Sequence, residues 1–321
     1  MNDLQPTIWI RINGIGHAFS REIGCDCGRC QTINFTMIPP PGTLKRFDGW
    51  DDPPWRAHTS VSIMIPDKEG SVDSHILIDV GAGVVDSLVS SKLEGLERIK
   101  GILISHWHPD HVLGLNQLCE SLKRSSEIKG IKFVKVPVYC TLKTYKHLRD
   151  KGGFSYEFDH RLCSHEILPE VPFKIDTTPP VTITALEVAH GKVKGSVIYI
   201  ADIGQKKVVF GWDIDVPDAE RTSNGKKNAE VIRKNLHILK GTNLLFMPSN
   251  TWVATGTGHT SFLFARQYIG EIKAKKTLLV HLSGHEDGKG NIGYGWSDSD
   301  WASQVSKYGV GVARQGMLIE I

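Results

Sequence analysis

Between positions 105 and 111 the chain reads Ser105-His106-Trp107-His108-Pro109-Asp110-His111. Imidazoles and a carboxylate this close would repel or stay unsatisfied in a folded interior without a charge partner. A divalent transition metal supplies that partner, because neutral imidazole and carboxylate are its usual ligands. The run follows a short apolar stretch, Gly101-Ile102-Leu103-Ile104, and precedes an amphipathic one, so it stands on a stiff strand-to-helix loop. An exposed polar loop is the competing reading, and it leaves the density of ligand-type side chains unexplained. Any fold for this chain must build a rigid loop around that cluster.

The apolar periodicity shows what surrounds the loop. Residues 8–12 read as a first strand, 61–65 and 75–80 as a hairpin, and 84–99 as an amphipathic helix. Strands are predicted over 101–105 and 135–140, with helices over 112–124 and 141–150. Residues 181–188, 196–200 and 207–210 are β-rich, and 219–239 is helical with a break at Asn224-Gly225. Strands over 244–247, 277–281 and 317–321 close the pattern, with a helix over 261–269. Prolines crowd 39–54, so the region near 31–58 reads as an irregular insertion, and 152–180 as a second, loop-rich one. Strands and helices alternate in both halves with no linker between them, which predicts an α/β layered fold in one domain over 1–321. Length alone, at about 150 residues per domain, would suggest two.

At this point the chain resembles the metallo-β-lactamase superfamily, whose signature is His-x-His-x-Asp-His. The resemblance continues beyond the motif. Asp79 in Leu77-Ile78-Asp79-Val80-Gly81 matches the family's strand-end aspartate, and His190 after Leu186-Glu187-Val188-Ala189 its next metal histidine. Asp213 after Val208-Val209-Phe210-Gly211-Trp212 matches the bridging carboxylate, and His281 after Leu278-Leu279-Val280 the last ligand. Asp202 competes with Asp213, but the apolar run and glycine before Asp213 favour the latter. The resemblance implies a four-layer αββα sandwich of two similar halves. It also implies one metal on His106, His108 and His190, a second on Asp110, His111 and His281, and Asp213 between them. Asp79 would hold the ligand loop in place from behind.

Further features narrow the chemistry. Gly258-His259-Thr260-Ser261 is similar to the Gly-His-Ser-Thr element of the phosphodiesterase branch, where the histidine faces the metals as general acid or charge stabiliser. A polar helix start capped by Thr260 is compatible with that role. Cys25-x-Cys27-x-x-Cys30 is too tight for an ordinary disulfide pattern and reads as a zinc cluster that needs a fourth ligand. The same arrangement occurs in the phosphoribosyl cyclic phosphodiesterases, where a histidine just past the last active-site ligand completes it. His285 is the corresponding residue, one position further along than in that group. His108 stands where the flavodiiron branch places glutamate, which favours zinc or manganese over a redox di-iron pair. His17, His58, His75, His147, His160, His165 and His237 receive surface or structural places, although His160 and His165 could reach substrate.

The expected reaction is hydrolysis of a small, cyclic phosphodiester by attack of a metal-bridging hydroxide, with Asp110 and Asp213 holding the metals and His259 aiding the leaving alkoxide. Its cofactors would be two divalent ions, zinc or manganese, and one structural zinc. A tRNase Z-like endoribonuclease, a lactonase or β-lactamase, and a non-catalytic metal-stabilised binding protein are the rivals. Composition weighs on the first of them. Thirty-eight basic residues against thirty-five acidic leave +3, and lysine pairs such as Lys226-Lys227 are too dispersed for the basic arm that RNA requires. No apolar run approaches the 18 or so residues of a membrane span, and the first residues lack a basic-then-apolar leader, so a cytoplasmic location is expected. A homodimer stays open.

Overall fold

The computed structural model describes residues 7–16, 57–215, 222–253, 259–283 and 285–321. Its first sheet is built from β1 (Trp9–Gly14), β2 (Ser60–Pro66), β3 (Val72–Ile78), β4 (Ile99–Leu103), β5 (Val136–Cys140) and β6 (Leu162–Glu166). The second comprises β7 (Phe173–Ile175), β8 (Val181–Glu187), β9 (Val197–Ile203), β10 (Lys206–Phe210), β11 (Leu244–Pro248), β12 (Lys276–Val280) and β13 (Gly311–Val312). A last strand, β14 (Leu318–Glu320), returns to the first sheet beside β1. Both sheets follow one plan. The run β14-β1-β2-β3 is antiparallel and β3-β4-β5-β6 parallel, just as β7-β8-β9-β10 is antiparallel and β10-β11-β12-β13 parallel.

Alternation along the strands sets the layers, because successive side chains leave opposite faces. In β3, Ile76 and Ile78 enter the core between the sheets while Leu77 enters the outer one. In β10, Val208 and Phe210 point inward and Val209 outward. The outer face of the first sheet is covered by α1 (Val84–Ser90), α2 (Pro109–Val112), α3 (Leu115–Ile128), α4 (Leu142–Asp150) and α5 (Ser155–His160). The second is covered by α6 (Ser223–Lys234), α7 (Leu236–Leu239), α8 (Phe262–Ile272) and α9 (Asp298–Ser306). The result is the expected αββα sandwich of two similar halves. Among the described residues, no helix is long and apolar enough to cross a membrane.

Local departures from the sequence reading have identifiable causes. The helix expected over 84–99 stops at Ser90, since Lys92 (φ 55°) and Gly95 (φ 82°) are left-handed and Ile99 already belongs to β4. Asn224-Gly225 is no break: Gly225 N–H donates to Thr222 Oγ1 at 2.9 Å, which caps α6 at its start, and the interruption falls at Asn235. The stretch 152–180 is not simply loop, because α5, β6 and β7 lie within it. The other expected insertion, near 31–58, falls outside the described residues except for Ala57 and His58. Helix α9 was not foreseen, although Ser297 and Asp300 form a reciprocal capping box that the sequence carries openly.

Candidate metal centre

The candidate ligands stand at strand ends along one edge of the sandwich. Asp79 follows β3, the His106–His111 loop follows β4, His190 follows β8, Asp213 follows β10 and His281 follows β12. Asp79 (φ 53°), Asp213 (φ 26°) and His281 (φ 60°) are left-handed non-glycine residues. Such backbone costs free energy and gathers where the surroundings fix a special geometry. Gly81 has a different task. A Cβ there would lie 2.1 Å from the Asp110 carbonyl oxygen, so only glycine lets the β3 end touch the ligand loop.

Asp79 organises that loop from below. It is fully buried, and its Oδ1 accepts the Ser105 N–H at 2.8 Å while Oδ2 accepts the Ser105 hydroxyl at 2.6 Å. Oδ2 also lies 2.7 Å from His111 Nδ1, which leaves His111 Nε2 facing Asp213 Oδ2 at 3.1 Å. Two groups of ligand-type atoms result. One comprises His106, His108, His190 and Asp213, the other Asp110, His111, Asp213 and His281, with the atoms in each group within 4.8 Å of one another. These are the groupings expected for two metals, with Asp213 common to both. Asp202 lies elsewhere, on β9, 3.8 Å from Lys207.

Charge explains why a cation suits the place. Asp79, Asp110 and Asp213 are buried carboxylates, and among the described residues their ion-pair partners are histidines, with no lysine or arginine. Burial alone would neutralise Asp213 and Asp110, but the charges of His281, His190 and His111 outweigh it and hold both far below the usual carboxylate range. Burial likewise opposes a charged His111, yet Asp110 and Asp79 hold its pKa well above the ordinary imidazole value. His106 is pushed well below that value by burial and by His111, and His108 down to about 4 by burial and by His190. Neutral imidazoles are what a metal binds, and at His111 a cation would take the place of the proton that the carboxylates hold. Moreover, His106 Nε2 and Asp213 Oδ1 are shut off from solvent and make no well-aligned hydrogen bond among the described residues, their nearest polar neighbours being Asp213 Oδ2 at 3.3 Å and His281 Nδ1 at 3.0 Å. The residues present fit a pair of divalent metals.

Three residues that support the metal-ligand histidines escaped the sequence reading. Asp215 Oδ1 lies 3.0 Å from His190 Nδ1, which turns His190 Nε2 toward His108 and Asp213. Asn224 donates to Asp215 Oδ2 at 2.9 Å, so the start of α6 holds the holder. Asn250, after β11, lies 3.2 Å from His281 Nδ1. The alternation Asp213-Ile214-Asp215 was the available signal for the first, since metal-bound histidines usually lean on a carboxylate. Asp215→Asn is therefore expected to weaken metal binding by about 10- to 100-fold without unfolding the protein. Competition with a chelating dye measures it, and unchanged affinity would remove the role.

His259 belongs to neither group but stands beside both, with its ring 5.6 Å from that of His190 and 6.3 Å from that of His281. Its Nδ1 lies 3.0 Å from Glu286 Oε2. Burial works against its charge, but Glu286, Asp213 and Asp215 raise its pKa to about 9. Thr260 is not the cap of α8. Its hydroxyl donates to the Ile214 carbonyl, and Ser261 takes the N-cap position. Of the expected zinc cluster, Cys25, Cys27 and Cys30 lie outside the described residues. His285 is buried beside Tyr294 in the loop after His281.

Comparison with known proteins agrees with this geometry. The family described as Beta-lactamase superfamily domain matches residues 74–282, the span from β3 to just past His281. The chain belongs to this family. An octanoyltransferase of Porphyromonas gingivalis is 22% identical over 82% of this chain and 43% of its own length. A ribonuclease Z of Methanococcus maripaludis is 25% identical over 56% of this chain and 58% of its own. The chain thus spans about half the length of the curated relatives it matches. Among solved structures, a diphosphatase of the PhnP family shares the fold, with a TM-score of 0.64 and 21% identity over 98% of each chain.

Proposed function

We propose that this family member is a metal-dependent hydrolase of phosphodiesters, with a small, cyclic diester as natural substrate. The observation that carries the reading is His259, an imidazole outside both ligand groups, held by Glu286 and facing the centre. Hydrolysis of a phosphodiester expels an alkoxide, which such a group can protonate as it leaves. The likeness to a PhnP-family diphosphatase supports the same reading.

Two divalent ions, zinc or manganese, would polarise a phosphoryl oxygen and bring water to nucleophilic strength near neutral pH. His106, His108 and His190 would hold one, Asp110, His111 and His281 the other, and Asp213 both. Asp79 orients His111, and Asp215 orients His190. His259 would give a proton to the leaving alkoxide, with Glu286 beside Nδ1 favouring its charged form. A third zinc on Cys25, Cys27, Cys30 and His285, a single domain over the whole chain, and a cytoplasmic location complete the proposal. An endoribonuclease is the second reading, carried by the ribonuclease Z relatives.

Metal analysis beside a substrate panel tests both. Hydrolysis of bis-p-nitrophenyl phosphate and of ribose cyclic phosphates, with little cleavage of RNA, lactones or β-lactams, is the expected outcome. Full metal occupancy with no phosphodiester hydrolysed would make this a binding protein instead.

A further inference from the structure

We propose that His58 is a further substrate-binding group of this centre, facing the Asp110, His111 and His281 group from outside the ligand set and contacting the phosphoryl oxygens of a bound substrate. The identity of the substrate rests on the phosphodiester reading above, whereas the placement of the residue does not.

His58 lies just before β2. Its backbone N–H donates to the Ala82 carbonyl at 3.0 Å, and it bridges Gly16, which in turn bridges Leu282 beside His281. The backbone therefore sets His58 between the turn after Asp79 and the turn that carries His281. Gly81 shows how tight the approach is. A Cβ at that position would lie 2.4 Å from His58 Cβ and 2.1 Å from the Asp110 carbonyl oxygen. The missing side chain lets the histidine and the ligand loop close on one backbone position.

The Cβ of His58 and the Asp110 carbonyl oxygen pack against the same Gly81 position, which sets the residue beside the ligand loop. Yet nothing among the described residues commits the ring. Nδ1 is shut off from solvent with no hydrogen-bond partner among the described residues, while the residue as a whole is partly exposed, so a substrate oxygen would meet the ring at Nε2. His75 is the contrast, buried with one ring nitrogen 2.7 Å from Ser62 Oγ and the other 2.8 Å from the Leu96 carbonyl. A histidine retained for packing has its ring satisfied in this way. His58 does not, and both ligand groups are filled without it. An uncommitted imidazole at the edge of a dication site is suited to donate to an anionic oxygen, a charge-assisted contact. It would act on the Asp110 side, with His259 on the His190 side.

Calorimetric titration of inorganic phosphate into the metal-loaded protein tests this without turnover. His58→Ala should bind phosphate about 10- to 100-fold more weakly, the usual range for losing a hydrogen bond to a charged group. Its metal content should stay at the wild-type level, and His58→Asn should recover part of the affinity. With bis-p-nitrophenyl phosphate as probe, the loss should fall on KM more than on kcat. Unchanged phosphate affinity in His58→Ala overturns the inference. So does a loss accompanied by departure of metal in both variants, and so does a wild-type protein that binds no phosphate. A wild-type protein that binds phosphate through His58 but hydrolyses no diester overturns the reaction reading alone and leaves this contact supported.

Discussion

Asp213→Ala is expected to empty both ligand groups and to cut turnover by roughly three powers of ten or more. Asp213 Oδ2 lies 3.3 Å from His106 Nε2, 3.1 Å from His111 Nε2 and 3.5 Å from His190 Nε2, and Oδ1 lies 3.0 Å from His281 Nδ1. Among the described residues no other carboxylate belongs to both groups. Its loss leaves the imidazoles around a single remaining first-rank carboxylate, Asp110, so neither cation is well neutralised. Lewis-acid stabilisation of a phosphoryl transition state is worth several kcal/mol, and about 1.4 kcal/mol is a factor of ten. Elemental analysis after dialysis, run beside the rate, reads both effects. Asp202→Ala is the control. Its side chain is 44% exposed on β9, and such surface changes usually stay within about 0.5 kcal/mol. Full metal content in Asp213→Ala would sink the bridging role.

His259→Ala is expected to lower kcat by about 10²- to 10⁴-fold, the usual worth of a positioned general acid, while the metals stay bound. The expectation follows from geometry. The ring is beside His190 and His281 but is absent from both ligand groups. The loss should shrink for substrates with good leaving groups such as p-nitrophenolate, which need little protonation, and grow for alkoxides. Glu286→Gln should act in the same direction and more weakly, because the ring stays in place while the carboxylate that raises its pKa is gone. Departure of either metal from His259→Ala would assign the residue to the ligand set instead.

The centre was legible in the sequence to the extent that its chemistry is local. His106, His108, Asp110 and His111 are neighbours on one loop, and no packing argument is needed to see that they call for a cation. Asp79, His190, Asp213 and His281 were reached through the family resemblance, which matched each to a position after an apolar strand. The layers followed from the period of two, as Ile76, Leu77 and Ile78 show.

Tertiary structure alone decided the rest. That Asp110 and His281 meet at 3.1 Å, and His190 and His108 at 3.0 Å, depends on which strands lie side by side. Local periodicity is blind to sheet order, since every strand of the sandwich presents the same alternation. The supporting groups were hidden for the same reason. Asp215, Asn224, Asn250, Glu286 and His58 look like ordinary polar residues until the fold sets each beside its partner. Helix ends were misjudged over 84–99 because left-handed turns at Lys92 and Gly95 override an apolar spacing that by itself would continue. The sequence determined which atoms want a metal and that strands and helices alternate around them. The grouping of those atoms was implied by the family resemblance, but only the packing of two sheets brings each group within 4.8 Å, because that depends on contacts between residues far apart in the chain.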